Sequence, residues 1–172
     1  DVYRIDLGLG TSVADNLTKL VDAARNAVRL DPNDGETQLV LGFAFAYQGM
    51  ADQALEQFAK AEALAPNNAD LLINIAWLLP QFGQPDRAVE LTEKVLKLNP
   101  NYPYWYNQGL RLVYFFGRQF DKSVKYSKLV TDPFAMDYAY LAVASAMAGD
   151  LAGAKVAAAQ VVRLDPNWSV EK

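Results

Sequence analysis

Neither cysteine nor histidine occurs anywhere in the 172 residues. That double absence removes disulfide frameworks, zinc sites of the nitrogen and sulfur type, and catalysis built on an imidazole base or a Cys-His pair. Only carboxylates, Lys, Ser or Tyr are left for covalent or acid–base chemistry. Cations are scarce as well: 16 Lys and Arg stand against 20 Asp and Glu, a formal charge of −4. Nucleic acids and anionic membranes are bound by clustered cations, so neither is an expected partner. Long apolar runs are missing. Leu71 to Pro80, with Asn74 inside it, falls far short of the ~20 residues that cross a bilayer, and no signal-like stretch opens the chain. The expectation is a soluble, cytoplasmic, non-enzymatic chain with no cofactor, no metal and no membrane insertion. Because the chain opens on Asp1, it is also expected to be a piece of something longer.

What the chain does have is a beat. Pro32, Pro66, Pro100, Pro133 and Pro166 are separated by 34, 34, 33 and 33 residues, and Gly49, Gly83, Gly117 and Gly149 by 34, 34 and 32. Small residues recur at Gly42, Ala76, Gly109 and Ala142 and again at Ala54, Ala88, Ser123 and Ala154. Leucine stands two residues before the proline at Leu30, Leu64, Leu98 and Leu164, but not in the third unit. Apolar residues at Ala51, Ala54, Leu55, Phe58, Ala61 and Leu64 follow the three-and-four spacing of a helix face. Glycine supplies the tight turn before each such helix, and proline ends it, lacking the amide hydrogen and disfavouring helical geometry in the residue ahead. The pattern predicts helices over 15–30, 35–48, 51–64, 69–82, 85–98, 103–117, 120–131, 134–148 and 151–164. Gly8 and Gly10 interrupt the segment where a partner for 15–30 should lie. No strand-like alternation competes.

With Leu41-Gly42, Phe45, Gly49, Ala54, Phe58, Ala61 and Pro66 in one unit, and Ile75-Ala76, Leu79, Gly83, Ala88, Val95 and Pro100 in the next, the sequence resembles the tetratricopeptide repeat family. The last unit keeps Leu141-Ala142, Gly149, Ala154, Val161 and Pro166. The resemblance covers about 15–168 and implies an all-α fold: a right-handed α-solenoid of stacked antiparallel helix pairs in one domain, 1–172. Its parts would be a partial unit 1–34, repeats 35–68, 69–102, 103–134 and 135–168, and the start of a further helix at 169–172. The third unit departs from the pattern. Gly109 and Ser123 are 14 apart where Gly42 and Ala54 are 12 apart, which predicts a longer turn or a kink near Phe116 to Phe120 and a short second helix.

Such arrays bind an extended peptide or a partner helix in a groove lined by the first helix of each pair. The resemblance places Glu36, Leu39, Val40, Phe43 and Tyr47 there, then Asp70, Ile73, Asn74, Trp77 and Gln81. From the third helix come Tyr104, Asn107, Arg111 and Tyr114, and from the fourth Met136, Ala139, Tyr140, Val143 and Met147. The aromatic residues offer apolar contact, and Asn74 and Asn107 present the paired donor and acceptor that a peptide unit needs. The alternative is that the aromatics pack against neighbouring repeats and the Asn side chains serve local backbone. Chaperone C-terminal tails are disfavoured as ligands, because the groove columns where a carboxylate clamp uses Lys, Asn and Arg hold Leu39, Phe43, Asn74 and the residues around Tyr104 and Gln108, and only the Asn remains.

Asp31 and Asp34 sit at a repeat junction, where Asp stabilises turns and helix starts. Gly8-Leu9-Gly10-Thr11 lacks the strand and the Lys of a phosphate loop. The window Arg111 to Lys128 carries Arg111, Arg118, Lys122, Lys125 and Lys128 against Asp121 alone, +4 in a chain of −4. It reads as a solvated outer face or as a docking strip for an acidic partner, with Arg111 alone reaching the groove. Asn101 to Tyr106, Phe115 to Phe120 and the closing Leu164 to Glu171 resemble C-terminal repeat arrays of bacterial cyclase-type signalling proteins. The first functional reading is a protein-interaction scaffold with an aromatic, amide-bearing groove. The second is a regulatory domain acting by intramolecular contact or as a homodimer through an exposed end of the solenoid, such as the apolar face of 151–164. A small-molecule site walled by Trp77 and the tyrosines comes third.

Overall fold

A computed structural model describes residues 13–169. All regular structure among them is helical: α1 (Val13–Leu30), α2 (Gly35–Tyr47), α3 (Ala51–Leu64), α4 (Ala69–Leu78) with a 3-10 turn at Leu79–Phe82, α5 (Pro85–Leu98), α6 (Tyr106–Phe116), α7 (Phe120–Ser127), α8 (Ala135–Met147) and α9 (Leu151–Leu164). The expected all-α class of helix pairs is present, with α2 packed on α3, α6 on α7 and α8 on α9. The predicted bounds of α2, α3, α5, α8 and α9 agree with the observed ones within one residue. Gly8, Gly10 and the helix start expected at 169–172 lie, apart from Ser169, outside the described residues. The chain forms two compact units that part inside α4, after Leu72.

In the first unit the junction before α2 is held by short polar side chains. Asp31 accepts the Asn33 N–H at 3.1 Å, Asp34 caps α2 by accepting the Glu36 N–H at 2.9 Å, and the Thr37 hydroxyl donates to the Asp34 carbonyl at 2.9 Å. The Asp34 side chain thereby satisfies one of the amides that a helix start leaves without partners. Between α2 and α3, Gly42 lies against the ring of Phe58, so close that a Cβ there would stand 2.5 Å from it. Phe58 is wholly buried and meets Phe43 edge-on at 5.8 Å. Burying such a ring contributes roughly 1.5–3 kcal/mol.

In the second unit, Pro80 cannot donate an amide hydrogen. The predicted helix 69–82 therefore changes to a 3-10 turn after Leu78.

The third pair overturns two expectations. The turn near Phe116 to Phe120 is not longer than the others. It runs Gly117, Arg118, Gln119, as the turn after α2 runs Gln48, Gly49, Met50. What changes is which residue takes the left-handed backbone. Gly49, Gly83 and Gly149 do so in their turns, but in the third it is Arg118, at φ 57°, and not Gly117, at φ −75°. Counted from the left-handed residue, the place of Gly42, Ala76 and Ala142 belongs to Arg111 rather than Gly109. The Arg111 carbonyl accepts from the hydroxyl of Ser123, which holds the column of Ala54, Ala88 and Ala154, at 2.9 Å. Gly109 instead backs onto Ile73 and Trp77, each 3.6 Å from where its Cβ would be. The second helix is short, as expected. It stops at Ser127, and Asp132 takes a left-handed φ of 53° before Pro133.

Gly117 stays glycine for a different reason, since a Cβ would stand 2.5 Å from Val89 Cγ2 and 3.0 Å from the Val113 carbonyl oxygen. Arg118→Gly is therefore expected to raise stability by about 1 kcal/mol, by removing a left-handed non-glycine residue. Gly117→Ala, one position away, should lower it by about 1–3 kcal/mol through overpacking. Urea melts of the two variants check this, and a loss of stability in Arg118→Gly would contradict the assignment of the turn.

Candidate functional site

Helix α8 carries Met136, Ala139, Tyr140 and Val143 at three-and-four spacing, so they share one face. Asp137 starts the helix: one carboxylate oxygen accepts the Phe134 N–H at 2.8 Å, and the other accepts from the Arg111 guanidinium. Phe115 of α6 meets Tyr140 edge-on at 5.0 Å, and Phe116 meets it at 6.2 Å. Beyond α9, Asp165 holds the chain in a turn by accepting the Asn167 N–H at 3.0 Å and, through its carbonyl, the Trp168 N–H at 3.0 Å. Asp165, Asn167, Trp168 and Ser169 close a cavity of about 400 Å³ whose other walls are Phe115, Met136, Ala139, Tyr140 and Val143. Its lining is mainly apolar, and Met136 and Val143 are 52% and 50% exposed at its mouth. A space of this size and character suits an apolar side chain or a small apolar molecule.

The structure sorts the sequence candidates unevenly. Tyr140 lies in the cavity wall. Phe43 and Tyr47 belong to the first unit, Phe43 against Phe58 and Tyr47 exposed. Trp77 and Gln81 are exposed, Asn74 is half-buried, and Tyr104 is exposed in the turn ahead of α6.

Three residues of the third helix are corrected. Asn107 is buried and donates to the Leu129 carbonyl, 22 residues on, at 3.2 Å, so its amide is turned to the backbone that follows α7 and not to an open groove. Tyr114 is buried and stacks on Tyr126 at 5.5 Å; burial, with Tyr126 and Glu93 adding to it, pushes its hydroxyl up to about 12. Arg111 does not present its charge to a groove. Its side chain is only 6% exposed, its guanidinium is paired with Asp137, its Nε donates to Gln108 at 3.0 Å, and it lies 5.3 Å over the Tyr140 ring. Burial pushes the Arg111 pKa down, and the Asp137 charge acts in the opposite direction.

The cause is an error of register, of one residue at Tyr104, Asn107 and Arg111 and of two at Tyr114. Residues equivalent to Met136, Ala139, Val143 and Met147 are Trp105, Gln108, Leu112 and Phe116, counted from Arg118 as those are from Gly149. Sequence reasoning also missed the 165–169 wall, for which Trp168 directly after the proline turn was the available signal. Among the described residues no group of three or more His, Cys, Asp or Glu could hold a metal, and no helix is long and apolar enough to cross a membrane.

Helix pairs joined by a left-handed turn give this chain a helical-repeat fold like that of solved tetratricopeptide proteins. Residues 45–107 match the tetratricopeptide repeat family. Over 82 residues the chain is 33% identical to the BBSome complex member BBS4 of Bos taurus, which is 48% of this chain and 16% of that protein, so it spans about one sixth of that relative. Among solved structures it is similar to PilW, a widely conserved type IV pilus biogenesis factor, with a TM-score of 0.75 and 22% identity, over 92% of this chain and 74% of that one. It is also similar to YrrB, a tetratricopeptide protein with an unusual peptide-binding site, with a TM-score of 0.67 and 19% identity, over 90% and 80% of the two chains.

Proposed function

We infer that this chain is a protein-interaction module, and that a partner segment seats an apolar side chain in the α6–α8 cavity. The open cavity carries the reading: Met136 and Val143 leave apolar surface in solvent where Phe115, Tyr140 and Trp168 already form a pocket. Binding apolar surface there recovers roughly 25 cal/mol for each Å² removed from water, offset by the ordering of the partner. The peptide-binding site of YrrB and the membership of BBS4 in a complex are consistent with the reading.

Met136→Glu with Val143→Glu places charge at the mouth of the cavity while the core stays untouched. Immobilised wild-type protein is expected to retain a partner from a lysate, and the double variant is expected to lose it with an unchanged helical circular dichroism signal. Equal retention by both would refute the assignment.

A second reading, dimerisation through α9, is supported by the exposure of Leu151, Val156 and Val162. Sedimentation at micromolar concentration separates the two, since a strict monomer excludes the dimer and leaves the cavity reading intact. The resemblance to arrays of cyclase-type proteins gains no support from the relatives named above.

A further inference from the structure

The basic window of the sequence divides once its side chains are placed. Arg111 is buried and neutralised by Asp137, and Lys128 borders hollows against α8 and α9. Lys122 and Lys125 instead join Lys97 of α5 in a separate cleft of about 350 Å³, completed by Glu93, Leu96, Tyr114 and Tyr126. All three lysines are exposed, and Glu93 is the one acid in the lining. The floor is aromatic, with Tyr114 and Tyr126 stacked at 5.5 Å. Lys122 Nζ lies 4.8 Å over the Tyr114 ring and 3.3 Å from a Glu93 oxygen, and Lys125 Nζ lies 5.1 Å over Tyr126. Ammonium groups resting on ring faces are held in place, so a ligand anion meets charges that need little further ordering.

We propose that the α5–α7 cleft is a docking site for an acidic segment of a partner protein, with carboxylates received by Lys97, Lys122 and Lys125. This goes beyond the α6–α8 cavity and stands whether or not that cavity binds a partner.

Charge complementarity selects the occupant. The cleft carries three cations and one acid, whereas the chain as a whole is at −4. A short run of Asp and Glu gains from the local charge within about 8 Å, the screening length at physiological salt. A long polyphosphate backbone would extend beyond these three lysines along a chain whose net charge is negative, and it would gain less there. Glu93 now neutralises Lys122 in part and competes with the incoming carboxylate.

Fluorescence polarisation with a short labelled Glu- and Asp-rich peptide, titrated with the full chain at low and at physiological salt, tests the proposal. Lys122→Glu with Lys125→Glu should weaken binding at least about tenfold, as expected for two reversed contacts of exposed charges. Glu93→Gln should tighten it. Lys19→Glu with Lys60→Glu changes net charge equally but lies on α1 and α3, and should leave binding within about twofold if the cleft and not net charge is responsible. No binding, an equal loss in the Lys19 and Lys60 control, or duplex DNA displacing the peptide at lower concentration than unlabelled peptide does would each overturn it. The helical circular dichroism signal of each variant establishes that folding is retained.

Discussion

Asp137→Ala is expected to lower the stability of the protein by about 3–5 kcal/mol, the cost of leaving one member of a buried ion pair behind. The Arg111 and Asp137 side chains are 6% and 10% exposed, and Arg111 Nη1 already has no partner. Without the carboxylate the guanidinium would be buried with only Gln108 and the Tyr140 ring for company, and the Phe134 N–H would lose its acceptor. Adding Arg111→Met should recover most of the loss, because a buried pair replaced by apolar side chains is often neutral or stabilising. Urea denaturation followed by circular dichroism measures both variants. If Asp137→Ala unfolds at the wild-type urea concentration, the pair is not what ties α8 to α6. If the double variant is no better than the single one, the lost amide acceptor and not the stranded charge is the dominant defect.

Phe58→Ala should have a comparable effect, about 3–5 kcal/mol, since a wholly buried aromatic side chain is removed and α2 and α3 collapse only partly around the space. Gly42→Ala attacks the same contact from the other side. Its new Cβ would stand 2.5 Å from the Phe58 ring, which Phe43 meets edge-on, and the expected cost is about 1–3 kcal/mol. The double variant is expected to be more stable than the sum of the two losses implies, because the added methyl then enters space the ring has vacated. Strictly additive losses would show that Gly42 and Phe58 are not coupled.

The second prediction rests on a contact legible in the sequence, and the first does not. Gly42 and Phe58 stand in a regular unit, where the spacing of small and large residues matches the observed helix contact. The Arg111–Asp137 pair stands in the irregular third unit. Gly117 suggests the left-handed turn position there, and counting back from it leads to Tyr104, Asn107 and Arg111 as groove residues, while the 33-residue interval from Ala76 suggests Gly109 as the small contact residue and Tyr114 is taken as the fourth groove residue. Each of these is displaced from the structural equivalent, and three of the four side chains are buried. A glycine is compatible with a left-handed turn but does not require one, and here a close approach to Val89 accounts for its presence. Likewise, Arg111 in a basic window reads as exposed until Asp137, 26 positions away, is brought against it.

The sequence by itself determined the helix pairs, their period and most of their ends, because proline, glycine and capping Asp act on the backbone within a few residues of themselves. Its lack of Cys and His also determined which chemistries are closed to the chain. Tertiary structure alone decided the register of the third pair, the burial of Arg111, and the gathering of Lys97, Lys122 and Lys125 into one cleft. It alone also decided that the 165–169 turn walls the α6–α8 cavity. Those outcomes depend on contacts between helices far apart in the chain, where volume and charge must be matched at once and no local rule ranks the alternatives.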